Sequence, residues 1–384
     1  MAMLNLAAAV AAQTGQRLCV ATVDHGLRPD SATEAADVAR HAARLGLPHD
    51  TLHWHDKPSG GNLQAAARDA RYGLLAQWAQ ARGAELVLLG HTADDQAETL
   101  LMRLAREAGL DGLRGMQAQF TRHGVAWARP LLGMTRAELR LILQDAGLSW
   151  AEDPSNSDLR FARIMARQAL AALAPLGIEA AGLARVAVQL SEARDALHLA
   201  TVDLARQAIR QEAGDLILDW DQMAAAPSEL RRRCLVAGLG WITGAPYPPR
   251  RDDVAQALAA LAEEGQRTLS GCLLRRSGAW LRLMREPHAL RDKVTGTCAL
   301  WDGRWRLEGP HDQGLHVAAL GEAGLMLCPD WRDSGLPRMT LLASPAIWAG
   351  ARLVAAPLSL PQGAPAGPWR ARIVADFHDW VVSH

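Results

Sequence analysis

The chain has 384 residues, 49% of them hydrophobic and 21% charged; this excludes a disulfide mini-scaffold, wholesale disorder and an integral membrane protein, and sets an expectation of roughly two to three domains. Lys+Arg and Asp+Glu balance at 41 each, and because only Lys57 and Lys293 are lysines, the other 39 basic residues are arginine. A polyanionic partner must therefore be met by local arginine patches, since net charge supplies no global attraction. Five cysteines without a C-x-x-C pair argue against a disulfide framework or a zinc site. The first charged residue is Arg17, so the basic region of a secretory signal is missing, and the apolar run before it is too short to span a bilayer. A cytoplasmic protein without a membrane partner is expected.

Strand and helix signals alternate over the first 150 residues. Residues 17–23 (RLCVATV) form a short β-branched run followed by the turn-like Asp24-His25-Gly26, and residues 31–46 then show helical spacing ending in Gly46. A second strand is expected at 51–55. Asn62 is a suitable N-cap for a helix through Arg82, with Leu63, Ala66, Ala70, Leu74 and Trp78 as its apolar face. Residues 85–89 (ELVLL) read as a third strand, and Gly90 turns the chain into a helix running to about Arg106. This alternation predicts an α/β fold built on a doubly wound parallel sheet, with ligands at the carboxyl ends of the strands. The predicted domains are 1–158 for that catalytic unit, 159–212 for a helical connector interrupted near Pro175-Leu176-Gly177, 213–292 for a smaller α+β domain, and 293–384 for a C-terminal domain with β-like signals.

The most informative stretch is residues 90–99, directly after the third strand. Asp94, Asp95 and Glu98 are three and four apart, so a helix starting near Thr92 gathers three carboxylates around its first turn, next to His91. Two readings stand side by side: acids suit a helix N-terminus, where the dipole stabilises negative charge, and three acids with a histidine also make a site for Mg²⁺ or an amine. Asp24 and His25 lie at the end of the first strand, and Arg68 and Arg71 on the second helix, three apart and able to reach one phosphate.

Six strings in order then resemble the tRNA(Ile)-lysidine synthases, a family of the PP-loop (N-type ATP pyrophosphatase) superfamily. They are Val23-Asp24-His25-Gly26-Leu27-Arg28, Gly61-Asn62-Leu63-Gln64-Ala65-Ala66-Ala67-Arg68 running on to Tyr72, residues 90–99, Leu110-Asp111-Gly112-Leu113, Arg129-Pro130-Leu131-Leu132, and Glu152-Asp153-Pro154-Ser155-Asn156. The match is strong over about the first 170 residues and rests beyond 210 on Leu269-Ser270-Gly271 and Arg285-Glu286. The resemblance implies an adenine nucleotide alpha hydrolase-like fold. It also implies a ligase that adenylates the C2 oxygen of the wobble cytidine in a CAU-anticodon isoleucine tRNA with ATP, then displaces AMP with the amine of free L-lysine. In those terms Asp94, Asp95, Glu98 and His91 are the expected catalytic residues, with the three acids also the expected Mg²⁺ ligands. Asp24, His25, Arg68, Arg71 and Arg129 are expected at the nucleotide, and Arg160, Arg163, Arg167, Arg275 and Arg276 on the tRNA.

Two departures from the family pattern bear on this expectation. The Ser-Gly-Gly-x-Asp-Ser loop between the family's first strand and first helix is missing, and Ser59-Gly60-Gly61 is a decoy, matching the later helix start. Residues 1–4 resemble those following that loop, so an incomplete reading of the gene is expected, lacking a central strand and binding ATP poorly; a catalytically inactive tRNA-binding remnant is the alternative. In Phe161-Ala162-Arg163-Ile164-Met165-Ala166-Arg167 the family usually carries three alternating arginines, and Met165 replaces the middle one, removing one anionic contact. Arg160, Arg163 and Arg167 still share a helical face, and residues 267–291 carry six arginines against one glutamate; these two runs are the expected backbone contacts to tRNA. Another PP-loop tRNA-modifying enzyme, such as a thiolation enzyme, is a further alternative, disfavoured because the cysteines lie in or outside the sheet with no reactive arrangement.

Overall fold

The structure is a computed structural model that describes residues 1–27, 31–58, 60, 63–150, 162–361 and 367–384. The chain divides into two units, Met1–Arg194 and Asp195–His384, with the boundary inside one long helix.

In the first unit the order is α1 (Ala2–Thr14), β1 (Val20–Asp24), α2 (Ser31–Arg44), β2 (His49–His53), α3 (Leu63–Arg82), β3 (Leu86–Leu88), α4 (Ala93–Leu104), α5 (Leu110–Leu113), β4 (Gln119–Arg122), β5 (Val125–Ala128), α6 (Arg136–Asp145), α7 (Ala162–Leu173) and α8 (Ala180–Ala208). The three strands and three helices read from the β-branched runs and helical spacing are present within a few residues of their expected positions. The parallel pairing is present too, in two pieces: β1 pairs parallel with β2, Val20 opposite His49, while β3 pairs parallel with β5, Leu86 opposite Ala126, and β4 adds antiparallel to β5. Both pieces feed one core, in which Ala21, Val23 and Leu52 pack against Val87, Leu89, Val125 and Trp127.

α3 covers that core with Tyr72, Leu75, Ala76 and Ala79; of the expected face Leu63, Ala66, Ala70, Leu74 and Trp78, Trp78 packs against the same core, whereas Leu63 is 41% exposed. Tyr72, Leu75, Ala76 and Ala79 follow the i, i+3, i+4, i+7 spacing of one helical face, and the aromatic ring of Tyr72, which packs edge-on to Trp127 at 5.0 Å between centroids, anchors it. Two helices begin with reciprocal caps. Thr92 Oγ1 accepts the Asp95 N–H while the Asp95 carboxylate accepts the Thr92 N–H at 2.9 Å, and Thr135 and Glu138 do the same for α6, the Glu138 carboxylate accepting the Thr135 N–H at 2.7 Å. α7 ends in a 3₁₀ turn closed by Gly177 at φ 77°, a left-handed conformation suited to glycine.

The second unit contains β6 (Ile209–Glu212), β7 (Asp215–Asp219), α9 (Trp220–Ala225), α10 (Ser228–Thr243), α11 (Arg251–Ala260), β8 (Gly265–Leu269), β9 (Cys272–Ser277) and β10 (Trp280–Arg285). There follow β11 (Thr295–Gly296), β12 (Trp305–Glu308), β13 (His316–Ala319), α12 (Gly321–Met326), α13 (Arg338–Leu342), β14 (Pro345–Ala349), β15 (Arg352–Ala355), β16 (Arg370–Ile373) and α14 (Phe377–Ser383). An antiparallel sheet of order β6-β7-β10-β9-β8 packs its Leu216, Leu218, Leu274, Leu281 and Leu283 face against α10 and α11. Phe377 and Val381 of α14 join the same core, so the segment after residue 292 folds back onto the sheet and does not stand apart. That segment forms a β11-β13-β14-β15 sheet and a β12-β16 pair around Trp301, Trp305 and Trp369. A buried charge cluster ties it to the larger sheet: Arg285 Nε donates to Asp302 at 2.9 Å and Thr340 Oγ1 to Asp215 at 2.5 Å.

Candidate active site

The carboxyl ends of β3 and β5 lie side by side because the two strands are parallel and in register, Leu88 opposite Ala128. The pairing continues one step as the Leu89 N–H donates to the Ala128 carbonyl at 2.8 Å, and this brings His91 next to Arg129, Nε to Nδ1 at 3.2 Å. Sequence separation hides the contact; sheet topology makes it, at the strand end where α/β ligands bind.

A pocket of about 210 Å³ opens there. Leu27, Ala67, Leu75 and Leu89 line its apolar side, and His25, Arg68, Arg71, Tyr72 and His91 its polar side. Four of the expected site residues thus meet in one cavity, with Arg129 behind it, 7% exposed. The lining is cationic and suited to a phosphate-bearing ligand. Burial, reinforced by Arg71, holds His25 below its ordinary pKa, and burial holds the Arg71 guanidinium below its own. His91 is lowered to about 4, by burial first and by Arg129 next. His25 Nδ1 is buried without a partner among the described residues, and its ring packs edge-on to Trp54 at 5.9 Å. Asp24, expected at the nucleotide, instead organises the turn: its Oδ1 accepts the Gly26 N–H at 2.8 Å, and the Ser31 side chain and this bond hold its carboxyl below the usual range.

One helical turn past His91 lies the acid cluster, and its centre is an arginine that sequence reasoning missed. Arg136, the first residue of α6, donates its backbone N–H to Asp94 at 2.7 Å, Nη1 to Glu98 at 2.9 Å and Nη2 to Asp95 at 2.9 Å. The three carboxylates raise the Arg136 guanidinium above its ordinary value in spite of burial. Burial alone would push Asp95 up, but the Thr92 amide, Arg136, the Thr92 hydroxyl and Arg163 outweigh it and leave Asp95 below 3.8. Arg167, expected on tRNA, instead turns inward from α7 and gives its Nε–H to Glu98 Oε1 at 3.0 Å. Glu98 is 1% exposed, and its other oxygen, Oε2, is buried without a partner among the described residues.

This arrangement gives the three expected metal ligands, Asp94, Asp95 and Glu98, protein partners of their own. Asp95 is engaged in capping α4, as the simpler of the two readings had it, and Arg136 and Arg167 offset two of the three negative charges; among the described residues no group of three His, Cys, Asp or Glu side chains is placed to hold a metal. Of the remaining expected tRNA contacts, Arg160 lies outside the described residues, Arg163 is exposed on α7, and Arg275 is exposed on β9 opposite Arg282 and Gln266. Arg276 is taken up internally: its guanidinium lies 4.6 Å from the Trp220 ring centroid and donates to the Leu261 carbonyl at 3.0 Å. The signal that could have revealed Arg136 is Thr135-Arg136-Ala137-Glu138, a capping box that places residue 136 in the first turn of a helix.

Residues 1–174 match the family model described as a PP-loop domain. Over 371 residues the chain is 51% identical to the tRNA(Ile)-lysidine synthase of Ruegeria pomeroyi, covering 96% of this chain and 88% of that protein. The chain belongs to the tRNA(Ile)-lysidine synthases. The lysidine synthase of Rhodopseudomonas palustris is 51% identical over 192 residues, 50% of this chain and 55% of that protein, and that of Mesorhizobium japonicum 36% identical over 382 residues, 96% and 83%. Among solved structures, the U34-tRNA thiolase NcsA from Methanococcus maripaludis with its [4Fe-4S] cluster aligns at a TM-score of 0.41 and 16% identity, over 49% of this chain and 66% of that one. As a lysidine synthase the protein is a ligase of the PP-loop family that uses ATP and modifies tRNA(Ile). Neither alternative, an inactive remnant or another PP-loop enzyme, is favoured. No single helix among the described residues is long and apolar enough to cross a membrane.

Proposed function

We propose that the pocket between α3 and the ends of β1 and β3 receives ATP, and that the cluster on α4 receives the amine of free L-lysine. The substrate base is then the wobble cytidine of the CAU anticodon. The observation that carries this reading is the adjacency of a cationic pocket and an acidic cluster on one strand-to-helix crossing, from His91 to Glu98. A cavity of about 210 Å³ is smaller than the ~300 to 1,000 Å³ of a complete small-molecule site. It suits a portion of the nucleotide, with Arg68, Arg71 and His25 set to meet phosphate oxygens and Leu27, Leu75 and Leu89 to meet an apolar face.

The chemistry asks for opposite fields close together. A cytosine C2 oxygen leaves poorly, so it first attacks the α-phosphorus of ATP and expels pyrophosphate; negative charge builds on phosphate oxygens, where the arginines stabilise it. The lysine amine then attacks C2 and AMP departs. That amine arrives as an ammonium ion and must lose a proton. Asp94 and the unpartnered Oε2 of Glu98 supply the anionic surface that would hold it. Mg²⁺, which the family resemblance implies, would supply charge neutralisation at the phosphates when bound. Among the described residues of the expected set, Arg163 and Arg275 are exposed and would meet the tRNA backbone.

Single-turnover incorporation of labelled lysine into tRNAs differing only at the wobble base tests the assignment. Incorporation with cytidine and none with uridine is expected; equal incorporation into both overturns it.

A further inference from the structure

Behind the pocket, three side chains from three elements form a hydrogen-bond relay centred on Arg129. Its Nη1 donates to the Gln117 carbonyl at 2.6 Å, and its guanidinium lies 4.1 Å from the Phe120 ring centroid. The neighbouring Met116 is clamped on both sides by Gln96, whose Oε1 accepts its N–H at 2.6 Å and whose Nε2 donates to its carbonyl at 3.0 Å. The plane of Arg129 is thereby fixed, and its other two edges point at Tyr72 and His91: Nη2 donates to the Tyr72 hydroxyl at 3.1 Å, and Nε to His91 Nδ1 at 3.2 Å.

A guanidinium has no lone pair to offer, so His91 Nδ1 is the acceptor in that contact and carries no proton. The proton of the neutral ring is then on Nε2, at the opposite edge, toward the cavity that His91 lines. The Tyr72 oxygen is in the same position: it accepts from Arg129 and from Arg68 Nη2 at 3.4 Å, which occupies both lone pairs and leaves its O–H to donate elsewhere. We infer that Arg129 is a positioning residue that fixes His91 as its Nε2–H tautomer, and that His91 and Tyr72 present neutral N–H and O–H donors to the phosphate oxygens of the bound nucleotide. The inference rests on the reading of this pocket as the ATP site.

Electrostatics around the ring agree. Burial is the largest influence against a charged imidazole, Arg129 from the loop after β5 and Arg68 and Arg71 from α3 add to it, and Asp95 of α4 opposes them. The same reasoning removes His91 from proton abstraction, because its only basic nitrogen faces a guanidinium.

Nitrogen-15 NMR of the protein labelled at histidine and arginine reads the tautomer directly. An Nε2–H form that persists from pH 8 to pH 5, with the Nε2 signal displaced by a non-hydrolysable ATP analogue and the Nδ1 signal little moved, is expected. A ring that titrates near its ordinary pKa, or carries its proton on Nδ1, overturns the tautomer. An Nε2–H ring indifferent to saturating analogue overturns the donor role; if the analogue also fails to displace resonances of Arg68 and Arg71, the ATP reading of the pocket falls with it. Kinetics supply the second readout. Tyr72→Phe should raise the KM for ATP roughly five- to tenfold with that for lysine unchanged. His91→Gln, which keeps an N–H donor, should retain far more activity than His91→Leu, with a flat profile between pH 6 and 8. Equal loss in the two histidine variants overturns the donor role.

Discussion

Replacing Arg136 with leucine isolates the charge that holds the acid cluster together. The substitution keeps the backbone N–H to Asp94 and removes two charge-assisted hydrogen bonds, to Asp95 and Glu98, each 2.9 Å long. Such bonds contribute ~1.5 to 3 kcal/mol each. The Arg136 side chain is 32% exposed, so solvent screens part of that value, and Arg167 remains on Glu98. A local loss of about 2 to 4 kcal/mol follows, equivalent to a ~30- to 1,000-fold fall in protection from hydrogen exchange. The fall should be confined to peptides of α4 and α6. A pH signature accompanies it. In the native protein Asp95 titrates below 3.8, so its contribution to stability is complete above that value and is lost as pH falls through the lower folded pKa. Without Arg136 the burial of Asp95 is less opposed, its pKa rises, and protection of α4 should begin to fail at a higher pH than in the native chain. Less than a threefold change in α4 protection, or equal loss in the second unit, would refute the claim that Arg136 organises the cluster.

Asp94→Asn should lower turnover by a hundredfold or more while leaving tRNA affinity within about twofold, as gel-shift titration and single-turnover kinetics together would read; loss of affinity alone would reassign the residue. Arg163→Ala should weaken tRNA binding and reduce the slope of log K against log salt by about one unit, whereas Arg276→Ala, which removes an internal contact, should leave the slope unchanged and lower stability. Burial raises Asp215 to about 6, opposed by Arg282 and by the Thr340 hydroxyl. The folded state then binds a proton that the unfolded state releases between pH 4 and 6, so stability of the second unit should fall as pH rises across that window, and Asp215→Asn should flatten the dependence.

How much of this was legible in the sequence depends on whether a residue's partner is local. The strand at 20–24 is written in a β-branched run and that at 86–88 in the apolar stretch ELVLL, and α4 announces itself through Thr92 and Asp95, a cap made within four residues. The hairpin of β4 and β5 was silent, because QFTR and VAWA are too short to show a period, yet β5 is the strand that carries Arg129 to His91. Separation hid the Arg136 contacts as well, 38 to 42 residues from the acids they bind. The alternation pointed to one parallel sheet, and hydrogen bonding places it in two pieces that share a core.

The arginines carry the same lesson further. In a chain with no net charge, arginine density by itself points to tRNA wherever it rises, and five arginines were expected there. The fold sorts them by what lies within reach of each guanidinium. Arg167 finds Glu98 and Arg276 finds backbone carbonyls and an indole, while Arg282 and Arg285, in the same basic run, find Asp215 and Asp302. A guanidinium with a buried carboxylate or a terminal carbonyl in range is already desolvated and paired, and a phosphate would have to displace that partner at a cost of a few kcal/mol. Arg163 and Arg275 stand exposed, one on α7, which also carries Arg167 to the acid cluster, and one on β9. Arg163→Ala and Arg275→Ala, singly and together, should therefore lower the salt dependence of tRNA binding in separable steps, whereas Arg276→Ala should not.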